Sequence, residues 1–422
     1  MRHSSTSCAC LRTGINSTLL AIATCALSLL IAFPAHAQSF TVLHNFTGGA
    51  DGAFPEAGLT IDARGNLYGT ANQGGRGTCS PENAGCGVVF KLAHAGTGWI
   101  FTPIYAFRGN SDGAGPFGRV IFGPDGALYG STVGGGSTNC LSGCGTVYQL
   151  HPSQPTCASA LCPWRETVLY RFQGDPNDAY YPTGDVAFNS AGALFGTTYI
   201  GGPGGPGAVY QLTPSGGGWT ESLAYSFRGE EDGGNPYGGV VFDPYGNMYV
   251  SAVAGGSYYN GALIELSPSG SGWTERTLYD FQNGSDGSSP FAGLMMVNGS
   301  LYGTTLLGPD NRGTAFQLTP SGDGWSFGTI NDLPSGYGPF GSLVADAAGN
   351  LFGTTQGGNG DEGTVFKLTP SGGAWEQTVL HHFMGSDGST PLGLVLDAGG
   401  NIYGTTSIGG AYGKGVVFKI TP

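Results

Sequence analysis

Charge is scarce in this chain: Asp, Glu, Lys and Arg make up 10% of its 422 residues, with 15 basic against 28 acidic. The resulting net charge of −13 repels phosphate backbones and argues against nucleic acid as a partner. No stretch after residue 37 is long and apolar enough to span a bilayer. The H-E-x-x-H zinc helix, the phosphate loop and the D-x-D-x-D-G calcium loop are all missing, so no zinc-helix, phosphate-loop or EF-hand constellation can be assigned. Links between the strand-like runs are too short to carry a crossover helix, which excludes a parallel sheet.

What is abundant is glycine, 80 residues, and it recurs at fixed places rather than at random. An aromatic within a GNLYGTT-like stretch appears seven times, at Tyr68, Tyr129, Phe195, Tyr249, Tyr302, Phe352 and Tyr403. The spacings are 61, 66, 54, 53, 50 and 51 residues. Each unit reads as four short runs rich in β-branched and aromatic residues; in the sixth they are 342–346, 350–355, 363–370 and 375–383. Tight polar turns join the first run to the second and the third to the fourth, so each unit is an antiparallel meander. A four-stranded antiparallel sheet every 50 or so residues, with no helix, predicts an all-β seven-bladed propeller. Its blades are expected at roughly 54–107, 116–172, 182–227, 236–281, 290–333, 339–383 and 391–422 plus 38–46.

The tryptophans set the phase. All six stand eight residues before the residue closing the fourth run: Trp99 and Phe107, Trp164 and Phe172, Trp219 and Phe227, Trp273 and Phe281, Trp325 and Leu333, Trp375 and Phe383. Eight residues before Phe46 lies Gln38, so 38–46 is an orphan fourth strand, while the chain ends on a third strand. The N-terminal strand is therefore expected to complete the last blade and close the ring. Arg2 and Arg12, an apolar run over 17–33 and Ala35-His36-Ala37 read as a signal peptide over 1–37, the rival being an uncleaved membrane anchor. Cleavage leaves 38–422 as one propeller domain with a net charge of −15. Six cysteines remain: Cys79 and Cys86, Cys140 and Cys144, and Cys157 and Cys162. Close pairs in an exported chain read as three loop-pinning disulfides. Metal binding by Cys140 and Cys144 is the rival, and it lacks a histidine at ligand spacing; other pairings among the six stay open.

The recurring string GNLYGTT, GTVFKLTP with an SG-containing Trp turn, TVLYxF and DGxxP resembles the GloVer (Gloeobacter/Verrucomicrobia-type) tandem-repeat family of exported bacterial proteins. The resemblance spans essentially all of 38–422. It implies propeller-like repeats and carries no activity over to particular residues. Members of that family differ in how they are attached, often through a C-terminal segment. Here the sequence stops after a third strand at Pro422, so a secreted or periplasmic, unanchored and monomeric form is expected.

Two groups of candidate site residues stand out. Asp51, Asp112, Asp178, Asp232, Asp286 and Asp387 each stand four residues before a proline just ahead of a unit's first strand, and Ser335 takes that place ahead of the sixth blade. Six carboxylates in a ring would suit Ca²⁺, the one cofactor considered; alternatively each starts a turn and bonds local amides. Tyr180, Tyr181, Tyr199, Tyr258 and Tyr259 fall in links on the face that carries the long, uneven loops, and they break the repeat. Rings exposed there would stack on a carbohydrate or a peptide. The paired threonines of the second strand offer hydroxyls to a sugar or simply fit a pleated surface. His44 and His382 read as equivalent strand positions. The expected function is noncatalytic binding of an extracellular glycan or protein; the alternative is a metal-dependent propeller hydrolase or lyase acting on a polysaccharide or lactone.

Overall fold

A computed structural model describes residues 38–422 apart from 80–83, 97, 154–163, 176, 323, 335 and 359. The expected signal peptide, the pair Cys157 and Cys162, and Ser335 lie outside the described residues. Seven antiparallel sheets follow one another along the chain. In the fourth blade, strand A is split into Gly234–Pro236 and Val241–Phe242, followed by B (Met248–Ala254), C (Ala262–Ser269) and D (Gly272–Asp280), each antiparallel to the next. The seventh blade is built from both ends of the chain: Ser389–Leu396, Ile402–Ile408 and Val416–Thr421 supply A, B and C, and Ser39–Asn45 supplies D. Ring closure by the N-terminal strand is thus as the tryptophan phase predicts.

Strand A is shorter than the sequence suggests. In the sixth blade only Val344–Ala345 pairs with B, not the whole of 342–346. The reason is the segment that follows the proline: in the fourth blade Pro236 still pairs with Ala252, and the Gly-containing stretch 237–240 then leaves the ladder and lines the central cavity. Strands B and C are buried on both faces, because each blade is covered by a neighbour on either side; D, at the rim, alternates between exposed and covered residues.

The glycine of GNLYGTT has a packing cause. Gly404 of strand B faces Phe418 of strand C, and a Cβ on Gly404 would sit 2.5 Å from the ring. In the fourth blade the same pair is Val250 and Ile264, so the strand takes a side chain where the ring opposite is gone. Blades are joined by the tryptophans and by the strand B threonines. Trp99 meets Tyr403 of the seventh blade edge-on at 5.8 Å, and Trp164 meets Tyr68 at 6.3 Å. The Thr405 hydroxyl donates to the Ala57 carbonyl of the first blade at 2.7 Å; Thr197 and Thr354 make the same bond to Gly238 and Leu392, at 2.8 and 2.9 Å. The second hydroxyl of the pair is spent within the blade, as in Thr355 with Thr364 at 2.9 Å. These hydroxyls are buried, so they belong to the scaffold and are not presented to a sugar.

Candidate functional site

On the loop face, the D-to-A and B-to-C links of each blade are stitched together by backbone bonds, such as Gly75 N–H to the Gly49 carbonyl at 2.8 Å and Gly202 N–H to the Asp178 carbonyl at 2.9 Å. The aspartates lie inside these links. Asp232, 1% exposed, accepts from the Arg228 backbone N–H at 3.0 Å, from Arg228 Nε at 3.2 Å and from the Tyr225 hydroxyl at 2.9 Å. Asp286 accepts from Gln282 and Gly284 N–H at 2.7 and 2.9 Å and from the Tyr279 hydroxyl at 3.0 Å. Asp112 and Asp178 follow the same plan with Tyr105 and Tyr170, both at 3.1 Å. Histidine replaces the tyrosine at Asp51 and Asp387, where His44 and His381 place Nε2 at 3.1 and 2.9 Å. His381, rather than His382, is therefore the equivalent of His44. Each carboxylate is engaged by its own link, and among the described residues no three His, Cys, Asp or Glu side chains gather as a metal-binding group.

Disulfides join Cys79 to Cys86 and Cys140 to Cys144, pinning the B-to-C links of the first two blades. The tyrosines part company. Tyr258 and Tyr259 stand out in the fourth blade's B-to-C link, 54% and 78% exposed, whereas Tyr180 packs against the Phe172 cluster between the second and third blades. Tyr181 is exposed, and Tyr199 packs edge-on against a residue the sequence reading passed over, Tyr237.

Tyr237 directly follows a channel-side proline. In chain order the residues in that position are Glu56, Phe117, Thr183, Tyr237, Phe291, Phe340 and Leu392. The segments they begin surround a central cavity of about 610 Å³ to which all seven blades contribute. Next along is always Gly or Ala, because neighbouring segments touch around the axis: a Cβ on Gly238 would lie 2.5 Å from the Cα of Gly293. At the loop-face end the rings meet. Tyr237 is 5.7 Å from Phe117, 5.1 Å from Phe291 and 5.3 Å from Phe340, and Tyr199 approaches it edge-on at 5.9 Å. Burial raises the Tyr237 phenol well above its usual range, and Glu56, Tyr181 and Tyr199 add to the shift; Glu56 lines the same cavity as Tyr237. Glu56 itself is pushed up to about 7 by burial. One residue deeper than the Gly or Ala, Arg119 is held by Asp185, Nε to carboxylate at 3.1 Å and backbone N–H at 2.7 Å.

The site is thus a half-buried aromatic mouth with one carboxyl, above a largely apolar throat that holds the Arg119–Asp185 pair. The loop face around it is also the apolar face of the molecule: of ten exposed large apolar side chains, only Ile100 and Tyr245 lie elsewhere among the described residues. The residues missed by the sequence reading carried one usable signal, a side chain that changes from blade to blade immediately after a proline that does not.

A profile of the Gloeobacter/Verrucomicrobia repeat matches residues 29–187, 78–311 and 307–422. The chain belongs to the Gloeobacter/Verrucomicrobia repeat family. No protein of curated function matches it in sequence. Among solved structures, the extracellular domain of a hybrid two-component system from B. thetaiotaomicron is similar, with 12% identity, a TM-score of 0.53, and coverage of 90% of this chain and 40% of that one. A protein assigned as a 6-phosphogluconolactonase from Bacteroides uniformis has 16% identity and a TM-score of 0.50, covering 77% and 84%. A gluconolactonase from Xanthomonas campestris has 13% identity and a TM-score of 0.44, covering 78% and 94%. At these identities the likeness is one of fold, and the chemistry of this Gloeobacter/Verrucomicrobia repeat protein must be argued from its own residues.

Proposed function

We propose that this chain is an exported, noncatalytic binding module that takes a carbohydrate at the channel mouth on its loop face. The observation that carries the reading is the set of half-buried rings, Phe117, Phe291, Phe340 and Tyr199, gathered around Tyr237 at a cavity that all seven blades line and that Glu56 shares. Aromatic faces suit the apolar faces of sugar rings, and the few polar groups beside them fix orientation. Export is supported by the signal-like segment over 1–37 and by two disulfides, which persist in oxidising compartments. A glycan array probed with the chain from Gln38 onward tests the reading. Binding is expected, and Tyr237→Ala should weaken it by about tenfold, the scale of one aromatic contact of about 1.4 kcal/mol.

One observation favours a second reading, hydrolysis or lysis of a polysaccharide or lactone. Glu56, with its carboxyl near 7, is in the range where a general acid works at neutral pH. Turnover of a lactone or polysaccharide that is abolished in Glu56→Gln, measured with and without EDTA, would replace the binding reading. Retained binding without turnover supports it.

A further inference from the structure

The carboxyl at the mouth is not needed to close the ring. Six blades close with Phe117, Thr183, Tyr237, Phe291, Phe340 or Leu392 in the position that Glu56 holds in the first. It also costs free energy to keep there, since a buried carboxylate without a counter-charge is unfavourable. Burial alone shifts Glu56; among the described residues no neighbouring cation or donor offsets it. Cations in this part of the fold are committed elsewhere. Arg119, deeper in the cavity, is paired with Asp185 at 3.1 Å, and Lys414 lies over the Phe54 ring at 4.6 Å. Glu56 lines the same cavity as Phe117, Tyr237 and Phe340, and Phe291 and Tyr199 pack edge-on against Tyr237.

Resting on the carbohydrate reading above, we propose that the sugar bound at the channel mouth carries a free ammonium group, as in a de-N-acetylated amino sugar, with Glu56 as its counter-ion and the rings around Tyr237 as its walls. An ammonium is attracted both to a carboxylate and to the negative faces of aromatic rings. A net charge of −13 concentrates cations at the surface and disfavours acidic sugars. A neutral sugar would leave the carboxyl as it is, buried and uncompensated. Binding of the ammonium holds Glu56 ionised, so at a pH below 7 complex formation releases a proton from its carboxyl to the buffer.

The test uses the chain from Gln38 onward and three tetrasaccharides in titration calorimetry: the glucosamine oligomer, its fully N-acetylated counterpart and cellotetraose. At pH 6.5 the glucosamine oligomer should bind at least about tenfold more tightly than either of the others. Its binding enthalpy should vary with the ionisation enthalpy of the buffer, in the sense of proton release. Glu56→Gln, which replaces a neutral carboxyl by a neutral amide and should fold as the parent does, abolishes both the preference and the proton release. Tyr237→Ala weakens all carbohydrate binding. A preference for the glucosamine oligomer that survives Glu56→Gln, or disappears in 0.3 M salt in both proteins alike, is general attraction to an acidic surface and overturns the proposal. Equal or tighter binding of the N-acetylated or neutral oligomer overturns it while the carbohydrate reading stands. If no glycan binds, here or on the array, both fall together.

Discussion

His381 of the sixth blade lies flat on Phe40 of the N-terminal strand, ring centroids 3.8 Å apart and 4° from parallel. The contact occupies a position that recurs at every junction between outer strands. Between the seventh and first blades it is His44 on Phe101 at 3.9 Å, and between the fourth and fifth Tyr279 on Phe327 at 3.7 Å. Between the first four blades a glutamate replaces the second ring: Glu166, Glu221 and Glu275 act on Tyr105, Tyr170 and Tyr225. Asn331 and Gln377 hold the equivalent places between the fifth and sixth. Ring is matched to ring and phenol to carboxyl, so each outer strand suits its own neighbour better than the others. The N-terminal strand brings Phe40 and His44, the partners that both of its junctions require.

Phe40→Ala should therefore destabilise the whole ring, because Phe40 also packs on Phe383 and Phe418. We expect a loss of about 2–3 kcal/mol, the lower end for a large ring only half-buried. Deleting Gln38 to Phe46 should cost far more, since it leaves the Val416–Thr421 edge without its partner strand. Chemical denaturation of both variants checks this; a truncated chain that melts like the parent would refute closure.

Thr405→Val removes the hydroxyl that satisfies the Ala57 carbonyl across the ring seam. The loss should be about 1–2 kcal/mol, the cost of a buried acceptor left unpaired. Thr304→Val is the matched control. Its hydroxyl is buried without a partner, so the same change there should be neutral or stabilising, and the two melting curves should move in opposite directions or differ clearly in size.

Stability should fall as pH rises through neutrality. Burial, with help from Asp112 and Asp178 respectively, pushes Glu166 and Glu221 up to about 7 from an ordinary value of 4.5. A group whose folded value is raised favours the fold fully below its unfolded value, and that contribution is lost as pH climbs through the folded one. Between pH 5 and pH 8 the Tm should drop, and Glu166→Gln with Glu221→Gln should flatten the profile. An unchanged slope in the double variant would show that these carboxyls do not carry it.

Reduction should be tolerated. The two disulfides close loops with sequence separations of only 7 and 4 residues, worth about 2 kcal/mol each by loop-closure entropy, and neither crosses a blade junction. Dithiothreitol should lower the Tm by a few degrees and leave the far-ultraviolet dichroism below the transition unchanged. Loss of the sheet signal at 25 °C would mean that the links hold the ring together.

The scaffold was legible because its causes are local and repeated. Seven strand B aromatics, six tryptophans in one phase and a proline before each strand A each report a contact that every blade makes. The six aspartates were legible for the same reason, and what they report is the capping of each link by its own residues, as Asp286 shows with three donors. The mouth was not legible. Of the loop tyrosines, Tyr199 lies against Tyr237, Tyr180 packs between blades and Tyr181, Tyr258 and Tyr259 stand exposed, although all five look the same in sequence.

By itself, then, the sequence determined the blade, the number of blades and the strand that joins the two ends, since strand period, turn chemistry and ring-against-glycine packing act over tens of residues or fewer. Only the tertiary structure decided which side chains share a site. Glu56, Phe117, Tyr237 and Phe340 come from four blades spread across most of the chain, and their one local mark, a varying residue after an unvarying proline, does not say which of them share a site. They meet because closing the ring carries the residue after each proline to the same end of one axis, where the narrow spacing of backbones leaves space for little else.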